Sequence, residues 1–270
     1  MNAIPDTGAL HRVERGCGSP ALLFLHHFGG SSKAWTGVVS ELEDDHRCVM
    51  PDLRGFGRSD ALTTDACIDD YADDVLDLVR AMDLERYALV GHSMGGKIAM
   101  AVAARKPSGL MSLVLLATSP PTPEPIEAGQ RAHLLANQLN RAAAEQSASK
   151  DVAWPLPKTL LLQVIEDRFK CSPSAWRWWL SCGSREDIAA TLCRISVPVH
   201  VISGQLDSTI PTAVVQSEVM ARIPHATLKL IPDCGHLIPL EAPQAVARCI
   251  RFATRKHGVD AAINLQPPRL

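Results

Sequence analysis

The stretch GHSMGGK, residues 91–97, decides the fold and the chemistry that this chain can support. It follows a short apolar run over 87–90 and precedes a run of small and apolar residues over 98–104. A strand followed directly by a helix leaves a sharp turn at Ser93, and the flanking glycines have no side chains to obstruct that turn. The same letters match Gly-x-x-x-x-Gly-Lys, the start of a phosphate-binding loop. The sequence therefore raises two alternatives, a nucleophilic serine and a nucleotide site.

The nucleotide alternative lacks its metal ligand. A phosphate-binding loop needs Ser or Thr directly after the lysine to hold Mg²⁺, whereas Ile98 follows Lys97 here. The strand-like run over 113–118 also ends without the acidic residue that would complete such a site. We therefore expect no nucleotide to be bound at this turn.

The serine alternative requires an acid and then a histidine, each in a loop after a later strand. Asp207 and His236 both follow apolar runs with strand character, in the required order. A neutral imidazole at His236 would remove the proton of Ser93, and Asp207 would orient and stabilise that imidazole. We predict these three as catalytic residues. The competing structural roles are a helix N-cap for Ser93 and a turn former for Asp207.

The composition excludes several classes of partner. The 270 residues include 27 Lys and Arg against 29 Asp and Glu, so no excess of charge calls for nucleic acid or an anionic membrane. The N-terminus has no features of a signal peptide, and no apolar run approaches the roughly 18 residues of a membrane span. The eight cysteines include no Cys-x-x-Cys pair. We expect a cytoplasmic protein with reduced thiols that acts on a small molecule.

The fold class follows from the alternation of apolar runs with segments of helical spacing. This alternation predicts an α/β protein. Because the runs do not alternate polar and apolar residues, helices should cover both faces of a mostly parallel sheet. The predicted strands occupy 21–26, 47–50, 87–91, 111–117, 197–203 and 227–231, and three of the predicted helices occupy 69–82, 211–223 and 241–256.

The alternation stops between Ser119 and about Leu192. Four prolines over 120–125 end the sheet-forming section, and the following residues have helical spacing without intervening strands. Helices are predicted over 127–147, 159–170 and 173–180. The insertion is too long for an ordinary connection, so it is predicted to be a helical cap or lid. The predicted division is a core of 1–119 and 192–260, a cap of 120–191 and a C-terminal tail of 261–270.

Five segments in order and at fitting spacing strongly resemble the α/β-hydrolase superfamily, and the resemblance covers roughly residues 10–256. The segments are LHHFGGSSKAW (25–35), PDLRGFGRSD (51–60), GHSMGG (91–96), SGQLDSTIP (203–211) and DCGHLIPLEAPQ (233–244). The resemblance implies the α/β-hydrolase fold, with the cap as its variable part. Related epoxide hydrolases and haloalkane dehalogenases have Asp at the nucleophile position, so Ser93 argues against both.

The resemblance also implies an oxyanion hole. Its donors would be the backbone N–H of Phe28 and, by position after the nucleophile, that of Met94. The family usually has His-Gly where this chain has His26 and His27. Because loop side chains near a site often point inward, His27 is a candidate substrate-binding residue.

Large aromatic residues are concentrated in the predicted cap. Trp176 and Trp179 are three apart and would share one helix face, from which they could cover an apolar pocket above Ser93. Trp154 is a further candidate substrate-binding residue. The alternative is that these rings form a small core of the cap itself.

The predicted function is that of a serine hydrolase, free of metal and cofactor, that cleaves a carboxylic ester or lactone with an apolar portion through an acyl-enzyme. Carbon–carbon bond hydrolases and perhydrolases of the same superfamily keep the serine, so both remain alternatives. An alternative of another class is a receptor that binds a ligand on this scaffold without turnover.

Overall fold

The computed structural model describes residues 10–62 and 65–255, and within them seven strands form one sheet in the order β1-β3-β2-β4-β5-β6-β7. The strands are β1 (Arg12–Arg15), β2 (Ala21–Leu25), β3 (Cys48–Pro51), β4 (Tyr87–His92), β5 (Leu110–Leu116), β6 (Val199–Gly204) and β7 (Thr227–Ile231). Strand β1 is antiparallel to β3, and every other neighbouring pair is parallel. The predicted mostly parallel sheet is confirmed.

Helices lie between successive strands along most of the chain. They are α1 (Thr36–Val39), α2 (Ile68–Ala81), α3 (Met94–Ala104), α4 (Ala128–Ala136), α5 (Arg141–Lys150), α6 (Lys158–Lys170), α7 (Pro173–Ser181), α8 (Thr212–Val214), α9 (Ile238–Glu241) and α10 (Pro243–Thr254). Short 3₁₀ turns lie at Ser32–Trp35, Gly183–Arg185 and Ala189–Arg194.

The strands send alternate side chains into two buried layers. In β2, Leu23 and Leu25 lie in the layer formed with α2 and α3, whereas Leu22 and Phe24 lie in the layer formed with α1 and α10. Both faces of the sheet are therefore covered by helices, as predicted. This double burial is the reason why β2 to β6 are continuous apolar runs in the sequence.

Strand β1 was not predicted from the sequence. Its residues, Arg-Val-Glu-Arg, include no apolar run and are mostly exposed. The strand lies at the edge of the sheet and pairs only with β3, with Arg12 opposite Pro51. Charged residues are common on edge strands because they discourage pairing with other chains, and they leave no hydrophobic pattern to detect.

Three predicted helices differ from those observed. The helix predicted over 127–147 is two helices: α4 ends at Ala136, and Asn140 caps the start of α5 by accepting the Ala143 N–H at 3.0 Å. The helix predicted over 211–223 is α8 followed by a π-helical stretch at Val215–Met220. The helix predicted over 241–256 begins anew at Pro243, which has no N–H to continue α9.

The segment between β5 and β6, residues 117–198, contains α4 to α7 and no strand. Helix α7 and the residue before it provide one of its attachments to the rest of the chain. The ring of Trp178 stacks on that of Tyr71 in α2, with centroids 4.1 Å apart, and the N–H of Ser172 donates to the carbonyl of Gly55 at 2.8 Å. The predicted tail of 261–270 and residue 256 lie outside the described residues.

Lys97 joins α3 to both ends of this segment. Its side chain is fully buried, and its Nζ donates to the carbonyls of Thr122 at 3.2 Å and Glu186 at 2.5 Å. Burial lowers the pKa of Lys97 from 10.5 to about 8, although the charges of Glu124, Glu186 and Asp187 act in the opposite direction. The lysine of the apparent phosphate-loop motif therefore has a structural role.

We predict that Lys97→Met lowers the free energy of unfolding by about 1–3 kcal/mol, because two part-buried carbonyls lose their donor. Urea unfolding at pH 7 measures this change, with the exposed Lys158→Met as the matched control. An unfolding midpoint equal to that of wild type would contradict the prediction.

Because the pKa of Lys97 is lower in the folded state, wild type should also gain stability relative to Lys97→Met as the pH rises above about 8.

Candidate active site

Ser93 lies in the turn between β4 and α3 with a backbone conformation that non-glycine residues rarely adopt. Its φ is 52° and its ψ is −117°. Hydrogen bonds hold this conformation: the N–H of Ser93 donates to the carbonyl of Leu116 at 3.0 Å, and its carbonyl accepts the N–H groups of Gly96 at 2.8 Å and Ser119 at 3.1 Å. Such a conformation costs on the order of 1–3 kcal/mol and is found mainly at functional sites.

The glycines of the motif are required by close backbone contacts. A Cβ on Gly91 would lie 2.4 Å from the carbonyl oxygen of Gly95, and a Cβ on Gly95 would lie 2.4 Å from that of Leu25. Both distances are well below van der Waals contact. The turn at Ser93 is therefore compatible only with glycine at these two positions.

The structure brings together the three side chains that were predicted to be catalytic. Nε2 of His236 lies 3.0 Å from Oγ of Ser93, and Nδ1 of His236 lies 2.8 Å from Oδ2 of Asp207. All three residues are buried. They come from the carboxyl ends of β4, β6 and β7, which lie on one edge of the sheet because these strands are parallel.

Further hydrogen bonds fix the acid and the histidine. Oδ1 of Asp207 accepts the N–H groups of Thr209 and Ile210, each at 2.8 Å, which leaves Oδ2 for the imidazole. The N–H of His236 donates to the carbonyl of Asp151 at 2.7 Å. The carbonyl of His236 lies 2.8 Å from Nε2 of His92, so His92 supports the backbone of His236 and does not contact Ser93 through a hydrogen bond.

The electrostatic surroundings favour the protonated form of His236. Burial alone would lower its pKa, but the charge of Asp207 and its hydrogen bond, followed by the charges of Asp151 and Glu124, raise the pKa to about 9. The imidazolium that forms when a serine proton is removed would therefore be stabilised in this site. The neutral imidazole needed to remove that proton becomes more abundant as the pH rises.

The predicted oxyanion loop is a tight turn from His27 to Gly30. The N–H of Gly30 donates to the carbonyl of His27 at 3.0 Å, and Gly29 has a φ of +74°. The N–H of Leu53 donates to Nε2 of His26 at 3.0 Å, so Nδ1 of His26 carries the proton and donates to the carbonyl of His27 at 2.8 Å. His26 thus orders the loop.

The two predicted oxyanion donors are available. Within residues 10–62 and 65–255, the N–H groups of Phe28 and Met94 donate to no backbone or side-chain acceptor. Unpaired backbone donors next to a nucleophile are the arrangement that stabilises a tetrahedral oxyanion.

His27 fits in the loop because Gly30 has no side chain. A Cβ on Gly30 would lie 2.6 Å from Cε1 of His27. The His27 ring packs against that of His92, with centroids 4.9 Å apart, and also lines the cavity above Ser93. Burial, followed by the charges of His26 and His236, lowers the pKa of His27 to about 3, so its imidazole is neutral.

A cavity of about 240 Å³ opens above Ser93. Trp176 and Trp179 line it from α7, as the helical spacing predicted, together with Phe28 of the oxyanion loop. The ring centroid of Phe28 lies 4.3 Å from that of Trp176 and 6.2 Å from that of Trp179. These three rings form an aromatic wall.

Trp154 lies elsewhere, so its assignment to substrate binding is corrected. Its side chain is 64% exposed, and it lines a separate depression with Val152 and Leu161. It lies in the non-helical connection between α5 and α6, where no periodicity in the sequence indicates the direction of a side chain.

Several polar residues of the cavity were not predicted from the sequence. Glu124, Asp151 and Arg168 line it, and all three belong to the segment between β5 and β6. Only their position in the predicted cap could have pointed to them, because isolated charged residues in a helical segment are usually solvated.

In the described part of the chain, no group of three or more His, Cys, Asp or Glu residues has an arrangement that could hold a metal ion. The same residues include no helix that is long and apolar enough to cross a membrane.

The chain resembles several known proteins in sequence and in structure. An uncharacterized protein of Mycobacterium tuberculosis is 38% identical over 97 residues, which cover 36% of this chain and only 28% of that protein. A pimeloyl-(acyl-carrier protein) methyl ester esterase of Nitrosomonas europaea is 28% identical over 255 residues, covering 88% of this chain and 96% of that enzyme. A solved thermophilic esterase from Thermogutta terrifontis superposes with a TM-score of 0.77 at 26% identity, covering 90% of this chain and 92% of that chain.

A family model provides the assignment of the chain. The model described as the alpha/beta hydrolase fold matches residues 20–155, which include the oxyanion loop and the turn at Ser93. The chain therefore belongs to the α/β hydrolase fold family.

Proposed function

We propose that this chain is a serine hydrolase that cleaves a carboxylic ester or lactone through an acyl-enzyme. The observation that carries the proposal is the continuous hydrogen-bonded series from Asp207 through His236 to Ser93 beside an apolar cavity. Oγ of Ser93 would attack the carbonyl carbon while Nε2 of His236 takes its proton. Asp207 would hold the imidazole in the required tautomer and stabilise its positive charge.

The remaining steps use the same groups. The N–H groups of Phe28 and Met94 would hold the oxyanion of the tetrahedral intermediate, and losing one such donor typically lowers the rate about a hundredfold or more. The protonated His236 would then donate its proton to the leaving alcohol oxygen, which leaves an acyl group on Ser93. A water molecule activated by His236 would hydrolyse that acyl group and restore the serine.

We also propose that residues 120–191 act as a cap on a core of 1–119 and 192–260. The cap would supply Trp176 and Trp179 to the apolar portion of the substrate, and His27 would line the opposite side from the core. The packing of Trp178 on Tyr71 supports this division, because it anchors α7 to the core while its neighbours reach the cavity.

Ser93→Ala should lower kcat/KM for p-nitrophenyl butyrate by about a thousandfold or more, because the nucleophile is lost while Cβ and the backbone conformation are kept. Hydrolysis is followed by release of p-nitrophenol, and a fluorophosphonate probe should label wild type but not Ser93→Ala. The exposed Ser108→Ala serves as the matched control. Undiminished turnover or labelling in Ser93→Ala would remove Ser93 from the mechanism.

The pH dependence should report His236. Because the base must be neutral and the surroundings raise its pKa to about 9, kcat/KM should increase with pH through a midpoint above the ordinary 6.5 of histidine. Asp207→Asn should lower both the rate and this midpoint, since it removes the largest favourable charge. Profiles are measured with Ser93→Ala as the blank for spontaneous hydrolysis. A wild-type midpoint at or below 6.5 would contradict the proposed electrostatics.

The aromatic wall should contribute to binding of the apolar portion. Trp176→Ala is expected to lower kcat/KM for p-nitrophenyl hexanoate by roughly 5- to 30-fold, corresponding to about 1–2 kcal/mol of lost apolar contact. The loss should be smaller for the acetate ester. Trp154→Ala removes the same side chain outside the cavity and should leave both rates unchanged. Equal losses in the two variants would exclude the wall as a substrate contact.

A further inference from the structure

Two carboxylates line the cavity and have no part in the proposed mechanism. Glu124 lies in the segment after β5, and Asp151 is the residue at the end of α5. Among the described residues, neither carboxylate has a cationic side-chain atom within the 4.0 Å of an ion pair. Carboxylates in a cavity are costly to keep charged unless a positive group balances them.

Glu124 is the carboxylate with fewer hydrogen bonds of the two. Its Oε2 atom is buried and has no hydrogen-bond partner among the described residues, although Ser119 lies close enough to favour the charged form. Burial raises the pKa of Glu124, while the charge of His236 opposes the shift. Asp151 is better satisfied, because Oδ1 accepts the hydroxyl of Thr209 at 2.6 Å. Oε2 itself is shielded, and the rest of the Glu124 side chain lines the cavity with no hydrogen bond to its carboxylate among the described residues.

Three cationic side chains near Glu124 or in the cavity wall donate to other acceptors, and the His236 ring, whose charge also acts on Glu124, is bonded to Asp207. Nζ of Lys97 is held by two carbonyls, and Arg131 donates to the carbonyl of Leu180 and to Oγ of Ser184. Arg168 donates to the carbonyls of Gln138 at 2.9 Å and Asn137 at 2.6 Å, and it stacks on Trp176 at 4.7 Å. Lys150 lines the cavity but is an exposed residue. None of these groups neutralises Glu124 by direct contact.

The other lining groups suit a cationic ligand. The same cavity contains the aromatic wall of Phe28, Trp176 and Trp179. Aromatic faces attract ammonium groups, and they do so more strongly where water is excluded. A carboxylate and aromatic rings in one cavity are the combination that binds an organic cation more tightly than a neutral group of the same shape.

We propose that this site takes esters whose acyl or alcohol portion carries a cationic nitrogen, with Glu124 as its counter-ion and Asp151 as the second negative charge. This inference rests on the proposed function in that it names the substrate class of the same cavity. The substrate keeps an apolar surface around its charge, which agrees with the aromatic wall. Glu124 is thus a specificity-determining residue.

The test compares two esters of equal shape. In 2-(trimethylammonio)ethyl butanoate the nitrogen is charged, and in 3,3-dimethylbutyl butanoate a carbon replaces it. Wild type should prefer the cationic ester by about tenfold or more in kcat/KM, and Glu124→Gln should reduce that ratio to near one. The ratio within one variant is informative because both esters depend equally on the protonation state of His236.

The matched control is Glu127→Gln, the same substitution at an exposed position outside the cavity, which should keep the wild-type ratio. A wild type without preference for the cation, or a Glu124→Gln variant that retains the preference, would overturn the proposal. Loss of the preference for the cationic ester in Glu127→Gln would also overturn the proposal, because the effect would then come from net charge alone.

A binding measurement separates this inference from the proposed function. Calorimetry with Ser93→Ala should show choline binding more tightly than 3,3-dimethylbutan-1-ol, and the double variant Ser93→Ala, Glu124→Gln should lose the difference. If neither ester is hydrolysed but the difference in binding persists, the hydrolase proposal fails while the cation site stands. Equal binding of the two alcohols would reject the cation site whether or not esters are cleaved.

Discussion

The backbone of Ser93 is held in a left-handed conformation by contacts that leave no space for side chains on either flanking glycine. The carbonyl oxygens of Gly95 and Leu25 approach the Cα atoms of Gly91 and Gly95 so closely that only hydrogen fits. Because β2 and β4 are adjacent and parallel, α3 begins directly over the end of β2. The position of the serine therefore depends on the packing of α3 against the sheet, and the geometry with His236 and Asp207 depends on that position.

Negative charge is the second organising feature of the site. Asp207, Asp151 and Glu124 together raise the pKa of His236 against the opposing effect of burial. Only Asp207 forms a direct hydrogen bond to the ring among these three acids. In the proposed mechanism the acids stabilise the imidazolium, and in the proposed specificity two of them also attract a substrate cation. Both proposals follow from the negative charge that these carboxylates place around His236 and the cavity.

Much of the fold could be predicted because its signals are local. Apolar runs mark β2 to β7, since each of these strands is a short hydrophobic segment bounded by turns. The charged edge strand β1 gave no such signal. The helix break before α5 and the restart at Pro243 were not predicted, because the helical spacing of apolar residues continues across the capping residue and the proline that interrupt the backbone.

The sequence by itself determined the turn at Ser93, the order of serine, acid and histidine along the chain, and the parallel sheet that carries them. These properties depend on residue types at fixed spacing. Only the tertiary structure decided which side chains of residues 117–198 reach the cavity: Trp176, Trp179, Glu124 and Asp151 line it, whereas Trp154 faces solvent. The physical reason is that the orientation of a helix is set by long-range packing, here by Trp178 on Tyr71. No local sequence pattern indicates such a contact.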